Sequence, residues 1–226
     1  MSIADEMAEY IAHQQPEKII NIKRRYKNMS TKVITGKVRF SYVNVFEPQA
    51  SQDGGDPKYS VTLLIPKTDT RTLGMIKAAM KEARENFCKR NGANALPPEP
   101  VSTLHDGDGV KPNSGEPYGP ECKGCWVLSV SCKATQKPVV VDEFGTEISG
   151  PATVCSNPTA VYSGCYGRAS INFYGYSNRR KGIGAGLLGI KKLHDGEPLG
   201  GSFGSASDFD DGWTDPEAVN DDNFMA

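Results

Sequence analysis

Four separate runs of this chain alternate apolar with polar residues at a period of two, and that period commits most of it to β-sheet. Val38, Phe40 and Tyr42 alternate with Lys37, Arg39 and Ser41, and Tyr59, Val61, Leu63 and Ile65 alternate with Lys58, Ser60 and Thr62. Further along, Trp126, Leu128, Val130 and Cys132 oppose Val127, Ser129, Ser131 and Lys133. In the fourth run Ala169, Ile171 and Phe173 oppose Tyr166, Arg168, Ser170, Asn172, Tyr174 and Tyr176. Successive strand side chains point to opposite faces, so each run predicts one core face and one polar face. Turn residues over 52–57 predict that the first two runs pair antiparallel. The turn 177–182 joins the fourth run to a strand over about 183–192, and 137–141 predicts a strand returning towards the third run.

One segment has the helical period instead. Leu73, Ile76, Met80, Ala83 and Phe87 form a single buried stripe, Asp69 is placed to cap the helix, and Arg71, Lys77, Lys81 and Arg84 lie on its exposed face. Residues 91–121 contain five Gly and six Pro and predict an extended flap. At the start, Ile3, Met7, Tyr10 and Ile11 predict a short amphipathic helix, followed by a basic linker with Lys23, Arg24, Arg25 and Lys27.

Composition narrows the class. A chain of 226 residues, 38% hydrophobic and 23% charged, is neither collagen-like nor disordered overall. Apolar stretches such as 139–141 fall far short of the roughly 20 residues of a membrane span, and no apolar leader follows the N-terminus. The expectation is an unsecreted cytosolic protein with no membrane role, its six cysteines free thiols. The net charge of -1 conceals a split. Residues 201–226 hold seven acidic and no basic residues, leaving 26 basic against 20 acidic over 1–200. A basic body with an acidic tail points to a polyanion partner, with the tail either solubilising, competing for the basic surface or recruiting a partner.

The strand faces opposite the apolar sets collect Lys37, Arg39, Lys58, Lys133, Tyr166, Arg168, Tyr174 and Tyr176, with small hydroxyl residues between them. Cations that track phosphates and rings that stack on bases of any identity suit single-stranded nucleic acid. The hairpin tip Arg179, Arg180 and Lys181 and the strand residues Lys191 and Lys192 extend the basic set. Tyr42 and Trp126 are further stacking candidates, although the alternation equally suits Trp126 to the core.

Enzyme readings are weaker. Gly184, Gly186 and Gly189 spell a dinucleotide-binding fingerprint, but it follows a basic turn and leads into no helix that could receive a pyrophosphate. Asp106 and Asp108 keep a metal-dependent nuclease as an alternative, beside a pure protein-interaction module. Cys122 and Cys125 have the spacing of half a zinc site, with Cys132, Cys155, Cys165 or His105 available to complete it, while the default is buried thiols. His13, His105 and His194 are too scattered to propose a catalytic triad.

The segments TGKVRFSYVNVFEP (35–48), PKYSVTLLIPK (57–67), LHDGDG (104–109) and GIGAGLLGIKKLHDGEPLGG (182–201) resemble a tailed-phage family of OB-fold single-stranded DNA-binding proteins, over about 29–201. The resemblance implies an OB barrel, and with the residue pattern the expectation is a mainly β, OB-fold-like antiparallel barrel over 29–200 with one packed α-helix and a long Gly/Pro-rich loop. It also implies non-catalytic, sequence-independent binding of single-stranded DNA in phage replication, recombination or repair, in the cytoplasm of the infected bacterial host. No cofactor follows from it, and monomer against homodimer is left open. The helix falls after the second strand, unlike the commonest OB order. MSTKVITGKVRFSY resembles a usual family start, so Met29 is expected to be a second initiation site and 1–28 an extension. The tail 201–226, expected to be disordered, ends near Asp221, Asp222 and Phe224 and is similar to tails that recruit replication or recombination proteins. Here Met225 and Ala226 follow the Phe.

Overall fold

The structure, a computed structural model, describes residues 31–50, 55–178 and 180–199. The expected N-terminal helix and disordered tail therefore lie outside the described residues. Ten strands appear in chain order: β1 (Lys32–Ile34), β2 (Val38–Gln49), β3 (Lys58–Pro66), β4 (Val101–Ser102), β5 (Leu104–Asp106), β6 (Cys125–Lys133), β7 (Val139–Val141), β8 (Glu147–Ser149), β9 (Tyr166–Ser177) and β10 (Lys181–His194). One α-helix, α1 (Thr70–Asn91), and a 3-10 turn at Pro120–Cys122 complete them.

Five of the strands pair around a ring. β2 pairs antiparallel with β3, and β3 with β6 in continuous register from Lys58 opposite Lys133 to Pro66 opposite Cys125. β9 and β10 form a long hairpin, and β9 returns to β2 through Val38 opposite Gly167 and Arg39 opposite Tyr166. β10 meets β6 at Gly186 opposite Ser131, in parallel. The ring β2–β3–β6–β10–β9 is an OB-like arrangement. It corrects the expectation of an antiparallel barrel at one edge, because β10 pairs in parallel with β4, β6 and β7. β7 likewise pairs with β10 and with β8, not with β6 as its position suggests.

The Gly/Pro-rich connection is no simple flap. β6 and β10 diverge on one side of their contact, and β4 and β5 fill the gap, β4 on β10 and β5 on β6. Strand edges left unpaired inside a fold must find partners, and this loop supplies them. The loop is fastened by Lys67, whose Nζ lies 2.5 Å from Asp106 and 2.7 Å from Asp108, while Asp108 also accepts the Gly124 N–H at 2.9 Å.

Inside the ring pack Val38, Phe40, Val61, Leu63, Ile65, Leu128, Val130, Ile171 and Phe173, drawn from the predicted apolar faces. α1 lies against β9 and β1. Asp69 Oδ1 accepts the Thr72 N–H at 2.9 Å to start the helix, and Gly92, at φ 103°, ends it. Its buried line is Thr72, Ile76, Ala79 and Ala83, turned slightly from the predicted stripe: Met80 and Phe87 are only half-buried and Leu73 lies outside the core. Two alanines on that line allow close approach to the sheet, and Thr72 Oγ1 accepts the Gly36 N–H at 2.8 Å.

Candidate nucleic-acid interface

The outer face of β2–β3–β6 carries small hydroxyl side chains: Ser60 opposes Ser131 and Thr62 opposes Ser129. At one end of this row the exposed Lys58 and Lys133 stand directly opposite each other. Like charges across an antiparallel pair destabilise a sheet by up to about 1 kcal/mol, a repulsion that an anion between them relieves. At the other end Leu64 and Val127 are covered by Tyr118, Cys122 and Leu199, so the open surface stops there.

Tyr42 borders this surface for a reason the alternation does not reveal. The β2–β3 register slips between Ser41 and Asn44, and within the slip Ser41 is buried while Tyr42 turns outward, 69% exposed. Its φ of 47° makes it the one non-glycine residue with positive φ among those described. That conformation costs about 1–2 kcal/mol for an L-residue, and here it presents an aromatic ring to solvent.

The glycine-rich strand β10 explains the tyrosine row. Tyr174 lies opposite Gly184 and Tyr176 opposite Gly182. A Cβ on Gly184 would stand 2.8 Å from Tyr174 Cζ, and one on Gly182 2.7 Å from the Tyr176 hydroxyl. The rings therefore rest on a strand face that Gly182, Gly184 and Gly186 leave without side chains, and Tyr174 remains 47% exposed. Burial of the rest of the ring, then the neighbouring Tyr176, pushes the Tyr174 phenol pKa up, so it stays neutral. Gly186 sits beneath the edge of the same ring and beside Ser131, so the tyrosine row and the hydroxyl–lysine face adjoin.

Further along the β9–β10 hairpin, the Tyr166 ring has Lys37 Nζ at 5.6 Å and the Arg39 guanidinium at 5.7 Å from its centroid, with the His194 ring at 4.8 Å. Arg39 also donates to the carbonyls of Gly164 at 3.1 Å and Glu197 at 2.6 Å, bracing the segment that leads to the tail. Arg168 donates to the Thr35 carbonyl at 2.8 Å and stands opposite the exposed Lys191. At the hairpin tip Lys181 is exposed and Arg180 reaches Asn113 at 3.4 Å, while the Arg179 side chain lies outside the described residues, as do Asp221, Asp222 and Phe224.

Two predicted members are placed elsewhere. Lys192 turns inward at one of the hairpin's register slips and is only 7% exposed, bonded to Asp195 at 2.7 Å and Glu143 at 3.0 Å. Burial, which lowers its pKa, is outweighed by those two carboxylates, so the ammonium persists as a structural ion. Trp126 pairs with Ile65 on the core side of β6, and its ring lies 5.5 Å from Lys67 Nζ and 5.6 Å from Lys77 Nζ, under the start of α1. Conversely, His194 joins the Tyr166 cluster, which only the hairpin register could have revealed.

The metal readings meet other geometry. Asp106 and Asp108 are both engaged by Lys67, which holds their carboxyls below the ordinary range. Cys122 is buried with Leu64 and Val127, and burial followed by Glu121 pushes its thiol up to about 11. Among the described residues no three His, Cys, Asp or Glu side chains are grouped to hold a metal ion. No helix there is long and apolar enough to cross a membrane.

Known proteins share this architecture. A single-stranded DNA-binding protein from bacteriophage Enc34, solved in complex with ssDNA, is 33% identical, matches with a TM-score of 0.59, and the match covers 75% of this chain and 90% of that one. The single-stranded DNA-binding protein gp2.5 of bacteriophage T7, at 16% identity and a TM-score of 0.51 over 86% of this chain and 98% of that one, shares the fold. Putative protein p50 of Acyrthosiphon pisum secondary endosymbiont phage 1 is 33% identical over 186 residues, which is 80% of this chain and 93% of that protein. The family model described as Enterobacter phage Enc34, ssDNA-binding protein, matches residues 31–224. With its OB-like ring, its glycine-backed tyrosines and this match over most of its length, the chain belongs to the Enc34 phage ssDNA-binding protein family.

Proposed function

We propose that this protein binds single-stranded DNA without regard to sequence, on the outer face of the β2–β3–β6–β10–β9 ring. The carrying observation is that Tyr174 rests over Gly184 and Gly186 of β10 next to a hydroxyl row that ends in two opposed lysines. Exposed ring faces stack on bases, and the cations Lys37, Lys58, Lys133, Arg168, Lys181 and Lys191, with the tip residues Arg179 and Arg180, follow the phosphates. Tyr42, Tyr174 and Tyr176 are the stacking residues in this reading. Tyr166, between Lys37 and Arg39, orders cations as much as it offers a face.

Binding is the whole of the activity in this reading, and no catalysis is involved. The protein coats single strands exposed during phage replication, recombination or repair in the cytoplasm of the host cell. The acidic tail, with Asp221, Asp222 and Phe224, recruits replication or recombination proteins and competes with DNA for the cationic face; its seven negative charges oppose a basic body.

Anisotropy of a labelled oligo-dT at two salt concentrations, with a duplex control and a gel for cleavage in magnesium or manganese, tests this reading. A phosphate contact at each of the eight named cations gives a slope of log K against log salt of about −5.6. Strand-selective binding with such a slope and an intact oligonucleotide is expected. Equal affinity for duplex, or cleavage of the strand, would overturn the reading.

A further inference from the structure

The β7–β8 hairpin carries a feature that the face described above does not use. Its tip, 142–146, is held by the Asp142 N–H to the Thr146 carbonyl at 2.9 Å, and Asp142 Oδ1 accepts the Thr146 N–H at 2.7 Å. Gly145 supplies the positive φ of 91° that closes the turn. Glu143 ties the tip to β10 through the buried Lys192. At the apex of this fastened turn Phe144 is 86% exposed. A single exposed ring is ordinary on a protein surface, but one held on an anchored loop beside a cation is placed to meet a ligand without rearranging the fold.

The surroundings of the tip indicate which ligand. A Cβ on Gly145 would stand 3.9 Å from Lys191 Nζ, which places the tip beside that cation. Lys191 and Arg168 edge a groove of about 350 Å³ across β9–β10, whose apolar surface includes the exposed Ile34 and Leu188. Arg168 lies on the same face of β9 as Tyr174, so the groove continues the tyrosine row. About seven residues of β10 separate Gly184, under Tyr174, from Lys191, roughly 23 Å at about 3.3 Å per residue.

We propose that the Phe144 finger, with Lys191, Arg168 and the apolar groove, is a second subsite for the same DNA strand, in which a nucleobase stacks on Phe144 and flanking phosphates meet the two cations. This rests on the single-stranded DNA reading and extends it to a strand that runs the length of the β9–β10 hairpin. The occupant is a nucleic acid and not a protein because cations border the apolar surface, as in the tyrosine row.

A length series of oligo-dT tests it with the full chain, across roughly 4 to 16 nucleotides, the range of site sizes for one OB fold. Wild type is expected to gain affinity in a step once the oligonucleotide spans both subsites. Phe144→Ala is expected to lose that step, binding long oligonucleotides roughly 5- to 150-fold more weakly while matching wild type on short ones. Phe144→Trp is expected to restore it. Equal affinity of Phe144→Ala and wild type at every length overturns the subsite and leaves the parent reading intact. A loss that is the same at every length also overturns it, since Phe144 would then act on the tyrosine row itself. No binding by wild type at any length removes the parent reading, and the subsite with it.

Discussion

Replacing Tyr42 with glycine separates what the ring does for DNA from what the backbone does for the fold. Tyr42 is 69% exposed at φ 47°, so its side chain makes little of the core and its backbone is strained. Glycine relieves about 1–2 kcal/mol of left-handed strain, while its greater freedom in the unfolded chain returns about 0.5–1 kcal/mol. The net runs from about zero to about 1.5 kcal/mol of stabilisation, a Tm rise of up to about 6 °C for a chain of this size. A lost stacking partner, by contrast, costs about 1–3 kcal/mol of binding, roughly 5- to 150-fold in Kd. Thermal melts and anisotropy on the same preparation read both numbers. The account expects a Tyr42→Gly protein that melts no lower and binds oligo-dT more weakly. A variant with unchanged affinity, or one that melts several degrees lower, refutes the argument that the strain serves to display the ring.

Other consequences follow from the same geometry. Gly184→Ala puts a methyl 2.8 Å from Tyr174 Cζ and is expected to displace that ring, weakening oligo-dT binding about as much as Tyr174→Ala does, as measured by parallel titrations. The double change Lys58→Gln with Lys133→Gln removes two phosphate contacts and is expected to lower the salt slope by about 1.4 without lowering Tm, because the two lysines repel each other. Lys192→Ala leaves Glu143 and Asp195 without their cation and is expected to destabilise the fold by about 1–3 kcal/mol in urea melts, whereas Lys191→Ala is expected to alter binding and not stability. Asp106 and Asp108 have folded pKa values held below the ordinary 3.8 by Lys67, so their stabilisation is present above about pH 4 and is lost as pH falls through the lower folded values. Lys67→Met is expected to flatten the stability profile below pH 4, followed by urea titrations from pH 2 to 6.

Much of the ring was legible in the alternation, because period two transmits the inside and outside of a strand directly: Val61, Leu63, Leu128, Val130, Ile171 and Phe173 are core as expected. What escaped it depends on partners distant in sequence. The slip at Ser41–Asn44 turns Tyr42 outward, and nothing local to VRFSYVN marks a bulge whose position is set by β3. The Gly/Pro composition of 91–121 suggested a flap, yet 101–106 is recruited into the gap between β6 and β10, a vacancy that exists only once both strands are placed. Lys191 and Lys192 are adjacent and chemically alike. Alternation says that they face opposite ways, but only Glu143 and Asp195 reveal which of them is buried. Phe144 carried no signal, because an aromatic in a turn is conspicuous only when the turn proves to be fastened and the ring uncovered. The glycines of 182–189 match a nucleotide fingerprint by letter alone, and in the fold Gly182, Gly184 and Gly186 are the bed on which the tyrosines rest.

The claim that matters most is the face on which DNA lies, and photo-cross-linking measures it directly. A single strand carrying bromodeoxyuridine, irradiated on the full-length protein and mapped by peptide mass spectrometry, is expected to mark the peptides that contain Tyr42, Tyr174 and Tyr176. Cross-links concentrated instead on α1 and Trp126, on the far side of the β6 strand from the hydroxyl row, would contradict the account.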